Sequence, residues 1–157
     1  MATLSTTITE ALVLNGSEQG CTNTLSIANI EEVYKRIITC PASSETRIAD
    51  FHSSVADATL TPLDVQDVKY IRVTNLDSTN SLTLSLQIDV GEDDTAADES
   101  ASILVGPGES FIMGTPHDAC GVDDTNANLV TDLQDLESLI VQPGGVAIKV
   151  EVFIASA

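Results

Sequence analysis

Two histidines and three cysteines are the side chains in this 157-residue sequence suited to nucleophilic or transition-metal chemistry. Their spacing limits what they can do. His117, Asp118 and Cys120 stand almost side by side, whereas His52 is remote. A hydrolytic triad needs a nucleophile, a histidine and an acid converging on one centre, and neighbours along a loop seldom point at one another. A catalytic cysteine also needs a site that lowers its pKa. A His117–Cys120 metal pair lacks the two further ligands that a closed zinc site takes. Cys21, Cys40 and Cys120 show no C-x-x-C spacing, so neither a zinc ribbon nor a thioredoxin-like pair is indicated. Free, mostly buried thiols in a reducing compartment are expected. The chain has no G-x-G-x-x-G, Walker loop, G-x-S-x-G or H-E-x-x-H. Gly106-Pro107-Gly108 reads as a turn, too short and proline-bound to cradle phosphate. The expectation is a protein with no catalytic residue and no cofactor.

Carboxylates are plentiful: 24 acids face 6 bases, for a net charge of −18. Such a field repels nucleic acid and anionic membranes, so neither is expected as a partner. The acids gather in loops. Asp89, Glu92, Asp93 and Asp94, with Asp98 and Glu99, could offer oxygens to Ca²⁺. Their spacing does not match an EF-hand loop, and a solvated charged segment is the expected state. No run approaches the ~20 apolar residues of a membrane-spanning helix. Met1–Thr6 lacks the basic and apolar parts of a signal peptide, so folding in cytoplasm is expected.

The elements that would position these residues are strands. The length suits one domain spanning 1–157, with 1–14 as a candidate extended arm. Hydrophobic residues make up 43% and aromatics 3%, with no Trp, so the core must be aliphatic. The clearest pattern lies in Lys69–Asp89. Leu82, Leu84, Leu86 and Ile88 alternate with Thr83, Ser85, Gln87 and Asp89, the period of a half-buried strand. Lys69–Thr74 alternates too, and Asn75–Ser81 is dense in turn-forming residues. The two arms read as a β-hairpin at the centre of the fold. Its polar face (Thr83, Ser85, Gln87) is a candidate intersubunit surface.

Further strands are read at Thr3–Leu14, Thr24–Ala28, Val33–Cys40, Thr46–Phe51, Ala58–Leu60, Ala101–Val105, Phe111–Gly114 and Val146–Ile154, and the alternation of Leu139 and Val141 fits one more. Asn15-Gly16 and Gln142-Pro143-Gly144-Gly145 are turns. A strand over Val33–Cys40 puts Lys35 and Arg36 on opposite faces, so one must lie near an edge or be paired. Leu129, Leu133 and Leu136 sit at helical spacing, which allows one short helix. The sum is about nine short strands, an all-β antiparallel sandwich or jelly roll with at most one short helix.

From Lys69 onward the chain resembles small β-sandwich virion structural proteins of tailed bacteriophages. The carrying residues are Tyr70–Leu76, the alternating Leu82–Ile88 arm, Val105–Phe111 with its Pro107-Gly108-Glu109-Ser110 turn, and the closing Gly144–Ile154 strand. The resemblance implies a capsid decoration (cement) protein bound to the major capsid protein lattice, or a tail or fibre component. It implies a homo-oligomer, trimer or dimer, located in the virion and assembled in host cytoplasm. No catalytic residue comes with it. A carbohydrate- or Ca²⁺-binding jelly-roll module is the alternative. The few aromatics, Tyr34, Phe51, Tyr70, Phe111 and Phe153, mostly fall at core positions and count against sugar stacking.

Overall fold

The computed structural model describes residues 1–52, 63–90, 99–123, 125 and 128–157. Within them lie strands β1 (Ala2–Thr9), β2 (Val13–Leu14), β3 (Ser17–Glu18), β4 (Thr22–Ile30), β5 (Glu32–Cys40), β6 (Thr46–His52), β7 (Leu63–Asp64), β8 (Val68–Asn75), β9 (Leu82–Asp89), β10 (Glu99–Val105), β11 (Ser110–Met113), β12 (Asp135–Pro143) and β13 (Ile148–Ser156). Thirteen strands replace the nine expected, with the two-residue strands β2 and β3 added in the arm and β7 added beside β6. The Ala58–Leu60 strand lies outside the described residues.

Two sheets form the body. One runs β10-β9-β12-β6-β7, the other β11-β8-β13-β5. The antiparallel pairings β5–β13, β6–β12, β8–β11 and β9–β10 are nested, outermost with outermost and innermost with innermost. A long hairpin wound over two layers gives this order, which is that of a jelly roll. Alternation explains the layering. Leu82, Leu84, Leu86 and Ile88 of β9 are buried, and so are Ile148, Val150, Val152 and Ile154 of β13. Between the layers Leu82, Leu84 and Leu86 and the β13 residues meet Ile48, Phe51, Ile71, Val73, Leu136, Leu139 and Val141. Each such side chain contributes about 1.5–3 kcal/mol by leaving water. Phe51 and Tyr70 are the buried aromatics, so the interior is aliphatic as composition requires.

The central hairpin read from Lys69–Asp89 is corrected. β8 and β9 belong to different sheets, and the hairpin partner of β9 is β10. Both arms do alternate, but each buries its apolar face against the other layer rather than bonding to its neighbour in sequence. The intervening segment is an arch across the sandwich. Its hub is Asn75, fully buried at the end of β8. The Asn75 amide nitrogen donates to the carbonyls of Asn80 (2.8 Å), Gly106 (3.0 Å) and, at longer range, Val105 (3.3 Å). Its amide oxygen accepts from the Asp77 N–H at 2.9 Å. Asp77 Oδ1 then accepts from Thr79 N, Asn80 N and Asn80 Nδ2, and the two backbone donors hold its carboxyl below the usual range. The Gly106–Glu109 turn is the second crossing, from β10 to β11. Glu109 Oε2 accepts from Gly106 N at 2.8 Å, and Gly108, at φ +72°, takes the left-handed conformation glycine tolerates. Gly108 N donates to Asp77 O and Asn75 N to Glu109 O, which ties the arches together. Two of the segments that carry the virion-protein resemblance, Tyr70–Leu76 and Val105–Phe111, thus run into crossings of the fold, and the other two lie in β9 and β13.

Among the described residues there is no helix. Leu129 and Leu133, at helical spacing, are exposed, while Leu136 is already in β12 and fully buried. The stretch has no apolar surface to face, so spacing alone does not form a helix.

Candidate assembly surfaces

The N-terminal residues 1–30 form two-stranded sheets of their own, bonded to neither sheet of the body. β1 pairs antiparallel with β4 through Leu4↔Ile27, Thr6↔Leu25 and Ile8↔Asn23. β-Branched Thr and Ile favour this extended form. Asn15 (φ 52°) and Gly16 (φ 76°) turn its tip, as their sequence indicates. The expected arm over 1–14 is therefore one half of a longer two-stranded arm. Its root is fixed by Leu4 and Ile27, which pack on Ile30, Tyr70, Phe153 and Ala155 over the outer face of the four-stranded sheet. Tyr70 and Phe153 meet edge to face at 6.0 Å. A cleft of about 340 Å³ runs between Leu4–Ile8 and Arg72, Ile112 and Phe153. Beyond the root, Ile8, Leu12, Val13, Leu14 and Leu25 are 50–66% exposed. Strands β1 and β4 carry no acidic or basic side chain, and Glu10 and Glu18 are the arm's only ones.

The candidate interface residues Thr83, Ser85 and Gln87 lie together on the outer face of the five-stranded sheet. They line a groove of about 340 Å³ with Glu45, Ser100, Ser102, Ile140 and Gln142. Thr83 is exposed; Ser85 and Gln87 are half-buried, and Gln87 Nε2 donates to Ser85 Oγ at 2.7 Å. At one end of this face acids gather. Asp89 is buried and lies opposite buried Asp135 across β9 and β12. Glu137 follows, and burial is the main cause that raises its carboxyl pKa, with Asp50 and Asp89 adding to it against Arg47 and His52. The other Ca²⁺ candidates Glu92, Asp93 and Asp94, together with Asp98, lie outside the described residues; Glu99 opens β10 and is exposed.

His117 finds its carboxylate in Asp135, which the sequence alone does not indicate because 18 positions separate them. His117 Nδ1 lies 2.8 Å from Asp135 Oδ1, which also accepts from Asp118 N at 2.7 Å. His117 Nε2 lies 3.4 Å from Asp118 Oδ2. These three residues could gather around a metal ion. Their ligand atoms lie within 4.8 Å of one another, and among the described residues these three fall one short of the four ligands of a closed site. The arrangement clamps the turn at Asp118, whose φ is +46°. Cys120 forms a bridge with Gln134, and burial pushes its thiol up, away from a reactive thiolate. All three cysteines are free; Cys40 is buried, Cys120 half-buried and Cys21 exposed. His52 lies 3.8 Å from Asp50, whose other oxygen takes Arg47 at 2.8 Å.

The third surface is a sheet edge. β5 ends the four-stranded sheet, and among the described residues β13 is its only ladder partner. This fulfils the expectation for Lys35 and Arg36. Lys35 reaches Glu151 on the outer face at 3.6 Å, and Arg36 lies over the Tyr34 ring at 5.1 Å on the other. Glu151 also holds Arg72, whose hydrogen bond is the main cause of its lowered pKa.

No family model matches the chain, and no curated protein matches it. Among solved structures, a Bacillus endospore appendage from a family of disulfide-linked pili is similar at 14% identity, over 83% of this chain and 93% of that one, with a TM-score of 0.38. That neighbour is a pilus-forming structural protein, at a similarity too low to carry its properties across.

Proposed function

We propose that the protein is a non-enzymatic structural subunit that binds at repeated sites on a larger protein particle, with the β1–β4 arm as its docking element. The arm supports this reading. Its long strands β1 and β4 carry no charged side chain in a chain of net charge −18, and its distal aliphatics are at least half exposed. Exposed apolar patches of this kind mark association surfaces. The uncharged faces of β1 and β4 can also approach another acidic subunit with less repulsion than the body would meet. In the finer form given by the sequence resemblance, the particle is a tailed-phage capsid in the host cytoplasm, the partner is the major capsid protein, and the subunit cements its lattice.

The test is co-sedimentation with empty capsids assembled from that major capsid protein, using wild type and the arm variant Ile8→Asp/Leu25→Asp. Both side chains are exposed, so the variant keeps its melting temperature. Wild type is expected to travel with the particles and the variant to stay behind. Equal binding of the two, or no binding by wild type, refutes the reading.

A further inference from the structure

We propose that β5 is a self-association edge: two copies pair their β5 strands antiparallel about a two-fold axis at Tyr34, joining two four-stranded sheets into one of eight. This deepens the assembly reading by naming a partner, a second copy of this chain, and it rests on a surface separate from the arm.

Charge complementarity along the edge carries the argument. β5 begins acidic and turns basic. Exposed Glu32 opens it, beside a cleft of about 470 Å³ lined by Glu31, Glu32, Asp64 and Asp67 with no basic residue. Lys35 and Arg36, two of the chain's 6 bases, follow in its middle. Arg36 is exposed, and neither it nor Glu32 has an ion-pair partner among the described residues. Glu32, Tyr34 and Arg36 share one face, since they pair with Ser156, Ile154 and Val152 of β13.

A two-fold axis perpendicular to a sheet brings residues of the same face opposite one another, so only alternate registers are allowed. Full overlap puts Arg36 against Arg36 of the second copy. A register centred on Lys35 opposes the two lysines. Like charges directly opposite destabilise a strand pair. Centring on Ile37 avoids both clashes but matches no opposite charges. Centring on Tyr34 sets each Glu32 opposite Arg36 of the second copy, twice by symmetry, and carries each guanidinium to the mouth of the other copy's acidic cleft. On the outer face Lys35 then lies opposite Val33 while Glu151 balances its charge. Half-exposed Val33 gains cover from the lysine stem. Lysine on an open edge commonly deters pairing; here that deterrent is already engaged within its own chain.

Sedimentation velocity over a range of protein concentrations, at low and high salt, tests the proposal. Wild type is expected to dimerise, more weakly at high salt. Arg36→Glu and Glu32→Arg each convert two attractive contacts into repulsive ones and should raise the dimer dissociation constant about tenfold or more. The double variant Glu32→Arg/Arg36→Glu restores the pairing with its polarity reversed and should recover the dimer. Circular dichroism confirms that each variant is folded. A wild type that stays monomeric, a single reversal without effect, or a double reversal that does not recover overturns the proposal. All of these variants keep the arm intact. A monomer that still sediments with capsids therefore sinks the β5 dimer and leaves the docking reading standing, whereas a normal dimer that ignores capsids does the reverse.

Discussion

Replacing the buried amide of Asn75 by a carboxyl of the same shape, Asn75→Asp, should destabilise the body more than any surface change. The side-chain nitrogen carries two protons and faces three backbone carbonyls, of Asn80, Val105 and Gly106. In the variant an oxygen faces those oxygens instead. Two net hydrogen bonds at about 0.5–1.5 kcal/mol each are lost, and a buried acceptor or charge is left against acceptors, for a total of about 3–5 kcal/mol near neutral pH. Against a typical total of about 5–15 kcal/mol this is a large fraction. Asn75→Ala loses the same bonds without the charge and should cost about 2–4 kcal/mol. The pH dependence separates the two. Burial and the carbonyls raise the pKa of the new carboxyl in the fold. Its deficit is therefore full above that raised pKa and shrinks as pH falls through it, because the protonated acid donates one hydrogen bond again. Asn75→Ala has no such recovery. Urea unfolding followed by circular dichroism, near neutrality and in mild acid, gives both numbers. A variant Asn75→Asp within about 1 kcal/mol of wild type near neutrality would show that the amide does not hold the crossings together.

Three further outcomes are expected. Glu137→Gln should stabilise the protein near neutral pH, because burial raises the Glu137 pKa. The wild-type acid favours folding below its unfolded pKa and loses that contribution as pH rises through the folded one, so the variant's advantage should fade in acid; an advantage that grows in acid contradicts this. Glu151→Gln should act oppositely. Arg72 lowers the Glu151 pKa, so its contribution is present above the unfolded pKa and is lost as pH falls through the folded one. The variant should be less stable near neutrality and less sensitive to acid, which melting curves against pH will show. Leu84→Asp should prevent folding, since Leu84 is fully buried, while Thr83→Asp on the opposite face should be tolerated. A folded Leu84→Asp, seen by amide NMR dispersion, would mean that the strand's faces are reversed.

The faces of the strands were legible in the sequence because alternation is a local property. Leu82–Ile88 and Ile148–Ile154 bury the residues their period selects. Strand partners were not legible. A strand's apolar face says that it is covered, and nothing about which strand bonds to its edge. So β8 and β9 read as a hairpin although Asn75–Ser81 crosses between layers. The Asn75 contacts to Val105 and Gly106 span 30 and 31 positions, beyond the reach of any turn rule. The same distance hid the His117–Asp135 pair. The edge position of β5 was signalled, since adjacent bases on opposite faces of a buried strand would have had no outlet. The arm was half visible: Thr-rich extension predicts a strand, but its partner Thr22–Ile30 was read as shorter.

The nested order of the pairings has a consequence for how the chain folds. The two innermost strands, β9 and β10, are close in sequence, whereas the outermost pair β5–β13 joins residues from 108 (Cys40↔Ile148) to 124 (Glu32↔Ser156) positions apart. The body must accordingly close from the inside outward, with each successive pairing bridging a longer loop, and all-β chains of such long-range topology fold slowly. The arm is different. β1 and β4 are joined through the short β2–β3 pair, and their ladder bonds involve neither sheet of the body. It can open and close by itself, so its amides should exchange with solvent at the low cost of local opening while those of β8, β9, β12 and β13 wait for global unfolding.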